Sequence, residues 1–160
     1  MLAVEPKEFS VGIGKFTGLE HRMEFVGEFN GVNVYNDSKA TTPESMKVAL
    51  ESFSNKSVVL IAGGKDKGGD FEGITDSIAK SCKGLILIGS ATEKLKTLWQ
   101  GVVETVEADT LKEAVEIAKK TVVVGDALLL SPGCASFDMF KNFEDRGVQF
   151  KRLTMEVLNG

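Results

Sequence analysis

The strongest constraint on the fold is a set of three short, uninterrupted apolar runs. They are residues 57–64 (SVVLIAGG), 84–90 (GLILIGS) and 126–133 (DALLLSPG). Each is too short for a typical buried helix and is bounded by glycine or polar residues, which is typical of parallel strands covered on both faces. A further strand is predicted over residues 102–108, where VVETVEA begins and ends among polar residues.

Helical patterns separate these strands. They lie over residues 71–83, 91–99 and 110–120, and a last helix is predicted to end near Leu158. Strands and helices therefore alternate four times. This alternation predicts an α/β fold with a Rossmann-like, doubly wound, mainly parallel sheet flanked by helices.

An N-terminal β-hairpin is expected to precede this alternation. Residues 23–29 and 32–37 are predicted strands, and an Asn-Gly pair at residues 30–31 is the strongest short signal for the turn between them. The preceding residues lack periodicity and are punctuated by glycines. We therefore interpret residues 1–20 as a linker from another domain and residues 21–160 as a single domain.

The first helix has a clear start signal. Pro43 suits the first helical position and Thr42 suits the N-cap, so a helix is predicted over residues 43–53. Its apolar residues are expected to share one buried face: Met46, Val48, Ala49, Leu50 and Phe53.

Composition excludes several classes of protein. The net charge of −4 argues against a general nucleic-acid binder. No apolar run approaches the ~20 residues of a membrane span, and no signal peptide is visible at the N-terminus. Cys82 and Cys134 show no metal-binding spacing, so a reducing, cytoplasmic setting is expected and Cys134 is interpreted as inert. His21 is the one histidine, and the pair His21–Arg22 is by default a solvated surface.

Three loops that follow predicted strands have an unusual composition. They are residues 36–42 (NDSKATT), 63–70 (GGKDKGGD) and 131–138 (SPGCASFD). Ligands of doubly wound folds bind outside the carboxyl ends of the strands, where these loops are expected. Lysines, hydroxyls and a helix N-terminus favour an anionic ligand there.

Ordinary structural roles explain the same residues. Asp37 in a turn and Thr42 as a helix cap account for the first loop about equally well. The second loop is also compatible with a flexible surface turn, and Ser136 is also compatible with the N-cap of the last helix. Composition alone leaves these alternatives open.

Three segments together resemble the C-terminal domain of the Mur ligases of peptidoglycan synthesis. They are residues 21–43 (HRMEFVGEFNGVNVYNDSKATTP), 60–71 (LIAGGKDKGGDF) and 128–147 (LLLSPGCASFDMFKNFEDRG). The resemblance extends over residues 16–158, nearly the whole chain. It implies a substrate-binding lid of a three-domain ligase that uses ATP and Mg²⁺. That reaction adds D-glutamate to UDP-N-acetylmuramoyl-L-alanine through an acyl phosphate.

The resemblance also implies partners and cofactors. The partners are a central ATPase domain and an N-terminal UDP-binding domain of the same polypeptide, with D-glutamate and ATP or ADP as ligands. Mg²⁺ ligands are expected mainly in the central domain, with no metal site and no tightly bound cofactor in this chain. A monomer is expected, with no nucleic-acid or membrane partner.

Site residues follow from the resemblance position by position. Lys39 is implied as a catalytic residue near the phosphates. The positions implied for the nucleotide are Arg22, Asp37, Lys39 and Arg146. Those implied for D-glutamate are Thr41, Lys67, Ser136, Phe137 and Phe143. Phe137 stands where a leucine is common, and Lys65 is a candidate to share the role of Lys67.

The parts that this sequence lacks also matter. It contains no G-x-x-x-x-G-K-[ST] phosphate loop and not the carbamylated lysine that the resemblance implies for a central domain. The chain alone is therefore expected to be inactive, with the glycine-containing stretch before His21 as the hinge of the full ligase. A stand-alone module that binds an acidic amino acid or a nucleotide without catalysis is the alternative. A NAD-binding domain is disfavoured because no G-x-G-x-x-G follows a strand.

Overall fold

The computed structural model describes residues 19–159, in which one six-stranded sheet is flanked by helices on both faces. The strands are β1 (Glu24–Phe29), β2 (Val32–Asn36), β3 (Val58–Gly63), β4 (Cys82–Ile88), β5 (Glu104–Glu107) and β6 (Ala127–Leu130). The helices are α1 (Pro43–Leu50), α2 (Thr75–Ser81), α3 (Thr92–Leu98), α4 (Leu111–Thr121) and α5 (Phe143–Leu158). A single 3₁₀ turn, Glu72–Ile74, leads into α2.

The sheet has the spatial order β1-β2-β6-β3-β4-β5. β1 and β2 form the predicted antiparallel hairpin, and every other pair of neighbours is parallel. These findings confirm the predicted fold class. The last strand in sequence, β6, lies between β2 and β3, so the carboxyl ends of three strands that are distant in sequence are neighbours.

Both faces of the central strands are buried, which explains their continuous apolar sequence. In β3, Val58, Leu60 and Ala62 face the cluster formed with α1, α2 and α3. Val59 and Ile61 face the cluster formed with α4 and α5. Alternate residues of a strand point to opposite faces, so each must be apolar here. Between residues 19 and 159, no helix combines the length and the apolarity that crossing a bilayer requires.

Two predicted helices are shorter than expected. The helix predicted over residues 71–83 ends at Ser81, and Cys82 is already extended and begins β4. The helix predicted over residues 43–53 ends at Leu50. Its start is as predicted, since Pro43 is in the first turn and the Thr42 hydroxyl accepts a hydrogen bond from the Ser45 amide at 3.3 Å.

The predicted buried face of α1 was wrong at one position. Val48 is 67% exposed, whereas Met46, Ala49 and Leu50 are buried. At 3.6 residues per turn, Val48 lies about 200° around the helix from Met46, so it faces away from the sheet. Its methyl groups instead line a surface cleft described below.

The start of the described chain is fixed against α5 by a buried histidine. The default of a solvated His21 is wrong, because the residue is 4% exposed. Its Nδ1 lies 2.9 Å from Nδ2 of Asn36, and its ring meets the Phe143 ring edge-on at 6.3 Å. Glu20 and Glu24 extend this contact by ion pairs of 2.7 and 2.9 Å with Lys151 of α5.

The predicted linker and hinge lie outside the described residues, apart from Leu19 and Glu20. Leu19 accepts a hydrogen bond from the Arg22 amide at 3.0 Å. The division into a linker and a domain therefore stays a prediction.

Gly147 allows α5 to approach His21. A Cβ atom at this position would lie 2.2 Å from Nδ1 of His21, well inside van der Waals contact. We expect Gly147→Ala to lower the free energy of unfolding by about 1–3 kcal/mol in urea denaturation, since displacing a buried ring costs that much. The exposed neighbour provides the control: Val148→Ala is expected to change it by less than about 0.5 kcal/mol. A stabilising effect of Gly147→Ala, as its helix propensity alone would give, would contradict this packing.

Candidate functional site

Backbone hydrogen bonds tie the three unusual loops together at the carboxyl edge of the sheet. Ala40 of the first loop accepts from the Gly133 amide of the third at 2.9 Å. Lys65 of the second loop and Ala135 of the third exchange two hydrogen bonds of 2.8 and 3.1 Å. The position of β6 between β2 and β3 makes these contacts possible. The structure therefore brings together residues that are far apart in sequence, such as Ala40 and Gly133.

Gly64 makes the approach of the second and third loops possible. Its φ of +127° is a conformation that L-residues rarely adopt, and a Cβ there would lie 2.4 Å from the Ala135 carbonyl oxygen. It would also lie 3.4 Å from Nη1 of Arg146. Part of the glycine content of the second loop thus has a packing cause.

Asp37 joins the first loop to the third and to the start of the hairpin. Its Oδ2 accepts from the Ser131 hydroxyl at 2.7 Å, and its Oδ1 accepts from the Met23 amide at 3.1 Å. Burial raises the pKa of the Asp37 carboxyl above its ordinary value, although these two hydrogen bonds and the Arg22 charge act in the opposite direction. Turn formation and ligand binding are therefore compatible for this residue, because each oxygen has a second lone pair.

A cleft of about 350 Å³ lies beside Asp37. Three of the four positions predicted for the nucleotide line it together: Arg22, Asp37 and Lys39. Arg22 and Lys39 are exposed, so their charges can reach a ligand. The cleft is bounded on the other side by α1: Glu44, Ser45, Val48 and Ala49.

Two of the residues predicted for D-glutamate, Phe137 and Phe143, lie beside lysine side chains. Lys67 Nζ lies 5.6 Å from the centre of the Phe137 ring, and Lys39 Nζ lies 5.9 Å from that of Phe143. Phe137 is 62% exposed, which leaves its ring accessible to a ligand. Thr41 directly follows Ala40, whose carbonyl binds the third loop.

Ser136 has a different role from the helix cap considered above. The N-cap of α5 is Asn142, whose side chain accepts from the Asp145 amide at 2.7 Å. The carbonyl of Ser136 instead accepts the amides of Met139 and Phe140 in a turn. Ser136 is therefore a buried residue of this turn, only 2% exposed.

Arg146 is not in the cleft. Its side chain is completely buried, and its guanidinium donates to the Ser38 hydroxyl, the Ser38 carbonyl and the Cys134 carbonyl. In this conformation the predicted contact with a nucleotide is out of its reach. Burial lowers the pKa of its guanidinium to about 10, so it remains positively charged at neutral pH.

Asp66 orders the second loop from within. Its Oδ1 accepts from the amides of Gly68 and Gly69 at 2.9 and 3.0 Å, and its Oδ2 accepts from Lys94 Nζ at 2.6 Å. The hydrogen bond from Lys94, the largest contribution, helps to lower the pKa of the Asp66 carboxyl below its ordinary value. The loop that carries Lys67 is therefore a defined turn, not a flexible one.

Neither cysteine is suited to nucleophilic chemistry. Burial raises the pKa of Cys82 and of Cys134 to about 12, so both thiols are protonated at neutral pH. This agrees with the interpretation of Cys134 as an inert small residue.

One group of possible metal ligands occurs among the described residues. Glu20, His21 and Glu24 offer three ligand atoms within 4.8 Å of one another. The ammonium group of Lys151 already bridges Glu20 and Glu24 at 2.7 and 2.9 Å. Both carboxylates are therefore already paired with a cationic side chain.

Comparison with known proteins shows the family of this chain. A family model described as the Mur ligase, glutamate ligase domain matches residues 21–134. The chain belongs to the Mur ligase family. It is 47% identical over 152 residues to a UDP-N-acetylmuramoylalanine–D-glutamate ligase from Aquifex aeolicus, an alignment that covers 95% of this chain and 37% of that relative.

Two further comparisons extend this result. A ligase of the same name from Chlorobium phaeobacteroides is 47% identical over 142 residues, which is 89% of this chain and 30% of the relative. The chain thus spans 30–37% of the length of these two curated Mur ligases. A MurF ligase from Thermotoga maritima, solved in complex with ADP, shares the fold with a TM-score of 0.59 and 13% identity over 90% of this chain and 32% of that one.

Several residues that build this Mur ligase site were not singled out from the sequence. Ser131 holds Asp37, Asp66 and Lys94 order the second loop, and His21 fixes the start of the domain. Ser131 and Asp66 stand within the unusual loops, so loop composition was a signal for them. Nothing in the sequence indicated Lys94, which comes from α3.

The raised pKa of Asp37 gives a test by pH. The ionised carboxylate destabilises the fold at neutral pH, and this destabilisation disappears as the pH falls through the folded-state value towards the unfolded one. We expect Asp37→Asn to raise the melting temperature by a few °C at pH 7.5. The difference is expected to shrink towards about pH 4.

Calorimetry across this pH range checks the expectation. The exposed Glu51→Gln is the control and is expected to show little change at either pH. A melting temperature of Asp37→Asn that falls at pH 7.5 would contradict a net cost of burying this carboxylate.

Proposed function

We propose that this chain is the C-terminal, substrate-binding domain of an ATP-dependent ligase. The reaction is the addition of D-glutamate to UDP-N-acetylmuramoyl-L-alanine in peptidoglycan synthesis. The observation that supports this most is the meeting of the three loops at one edge of the sheet. Arg22, Asp37 and Lys39 line a cleft there, and Lys39 and Lys67 lie beside the rings of Phe143 and Phe137. The relatives from Aquifex and Chlorobium are both named as ligases for D-glutamate, which supports the same reaction.

The cleft suits the nucleotide. Asp37 presents a carboxylate that can accept from a ribose hydroxyl, and Arg22 adds an exposed guanidinium. Lys39 stands at the boundary between the cleft and Phe143, where its charge can stabilise phosphate oxygens. The ADP complex of the MurF ligase supports nucleotide binding by this fold.

The other predicted site residues suit D-glutamate. Two carboxylates need cationic and hydroxyl partners, which Lys67, Ser136 and Thr41 provide. Phe137 and Phe143 lie beside the two lysines and can cover the carbon chain of the ligand. Lys65 is exposed on the same loop and is a further candidate for a carboxylate.

The amide-forming step depends on how the two reacting groups are positioned. The amino nitrogen of D-glutamate attacks the carbonyl carbon of the acyl phosphate, the carbon–oxygen bond to phosphate breaks, and the nitrogen loses a proton. The residues of this chain hold the amine in place and exclude water from the acyl phosphate. Lys39 stabilises negative charge that develops on the oxygens at the reacting centre.

Mg²⁺ belongs mainly to the rest of the ligase in this proposal. The acidic residues that line the cleft are Asp37 and Glu44, and both oxygens of Asp37 already accept hydrogen bonds. Mg²⁺ requires near-octahedral oxygen ligands, which these two side chains do not supply by themselves. The residues that line this cleft therefore do not fit the ion as a complete site.

The remaining parts of the proposal concern the whole protein. Its partners are a central ATPase domain and an N-terminal UDP-binding domain of the same polypeptide, in a cytoplasmic monomer. The stretch before His21 is the hinge about which the lid closes. Without these domains the chain forms no amide and hydrolyses no ATP.

Lys67→Ala in the full ligase tests the D-glutamate pocket. We expect the KM for D-glutamate to rise about tenfold or more, because one carboxylate loses its cation, while the KM for ATP changes by less than about twofold. The assay measures phosphate release while the concentration of each substrate is varied. Lys112→Ala, which removes an exposed lysine from α4, is the control. Equal changes in both KM values would count against this assignment.

A further inference from the structure

Arg146 is a fully buried cation with no carboxylate partner. Its side chain has no exposed surface, and no carboxylate oxygen of residues 19–159 lies within 4 Å of its guanidinium. Burying a charge without a counter-charge is costly in folding free energy. A neutral side chain would fill this space at lower cost, so the arginine requires an explanation other than stability.

Its hydrogen bonds give that explanation. Nε and Nη2 donate to the hydroxyl and the carbonyl of Ser38 at 2.9 and 2.8 Å, and Nη1 donates to the carbonyl of Cys134 at 3.1 Å. Ser38 lies between Asp37 and Lys39 in the first loop, and Cys134 lies two residues before Ser136 in the third. One planar group therefore joins the nucleotide side of the site to the amino-acid side.

The remaining contacts extend this connection. The Ser38 hydroxyl donates in turn to the carbonyl of Phe143 at 2.8 Å, which fixes the start of α5 against the first loop. The second loop also borders the guanidinium, since a Cβ at Gly64 would lie 3.4 Å from Nη1. Only an arginine has a rigid fork of donors that can reach these separate acceptors at once.

We propose that Arg146 is a positioning residue that fixes the first and third loops relative to each other, and that the anionic substrates supply the counter-charge that its buried guanidinium lacks. The proposal rests on the proposed function. All three of its acceptors are neutral, so no hydrogen-bond partner supplies a counter-charge. The carboxylate of Asp138 acts on the guanidinium without forming an ion pair with it, and the buried Cys134 thiol is protonated and therefore neutral.

The experiment compares Arg146→Met with Arg146→Lys in the full ligase. Methionine removes the charge and all three hydrogen bonds, whereas lysine keeps the charge and one donor group. We expect Arg146→Met to raise the KM for D-glutamate and the KM for ATP together, each roughly tenfold, because both loops are released. Arg146→Lys is expected to restore a large part of the affinity for both.

Two controls separate positioning from stability. Phe150→Leu alters a fully buried residue of the same helix, in the apolar cluster that α4 and α5 form with the sheet, and Arg152→Met removes an exposed charge from that helix. Melting temperatures are measured for all four variants. We expect Phe150→Leu to lower the melting temperature while both KM values stay within about twofold of the wild type.

The outcomes are distinguishable from failure of the proposed function. If the wild-type ligase does not use D-glutamate, the proposed function fails before any variant is compared. If the wild type is active and Arg146→Met changes both KM values no more than Phe150→Leu does, the positioning role is overturned. If Arg146→Lys and Arg146→Met have equal KM values, the electrostatic role is overturned.

Discussion

The pairing of β6 with two neighbours organises this domain. The four residues Ala127–Leu130 bond in parallel to β2 on one side and to β3 on the other. The pairing continues one residue beyond the strand, where the Asp37 amide donates to Leu130 at 2.7 Å. Three loops from distant parts of the sequence therefore leave the sheet side by side.

Two buried charged side chains lie at this same edge, and their burial costs folding free energy. Asp37 is buried and its carboxyl pKa is raised, and Arg146 is buried without a carboxylate partner. Burying each charge opposes folding, and each residue is held by neutral hydrogen-bonding groups from a neighbouring loop. Sites of this kind are preorganised for charged ligands, because their dipoles and charges need not rearrange on binding. The two apolar layers thus stabilise the domain, and the buried charges at this edge lower its free energy of unfolding.

The sequence was sufficient to predict the fold and the edge of the sheet at which the three loops meet. Continuous apolar runs predict strands that are buried on both faces. The structure confirms this for β3, which packs against helices on each side. Motifs within the loops identified Asp37 and Lys67, since a doubly wound sheet places such loops at one edge.

Contacts across the fold could not be predicted in this way. His21 has the sequence environment of a surface residue, and it is buried only because Gly147, 126 positions later, leaves room for its ring. Arg146 was assigned to the nucleotide by the resemblance alone, but it is fully buried and donates to Ser38 and Cys134. The prediction for Val48 was wrong for a local reason. It was assigned to the buried face of α1, from which the helix geometry excludes it.

Amide hydrogen exchange of the chain tests the central claim, that the three loops form one rigid edge. The amides that decide it are those that cross between loops or continue the sheet: Asp37, Lys65, Gly133 and Ala135. We expect them to exchange as slowly as Leu129 in β6, whereas the exposed Val124 exchanges rapidly. If the four amides exchange at the rate of Val124, the loops are independent of one another, and a preformed site at this edge is contradicted.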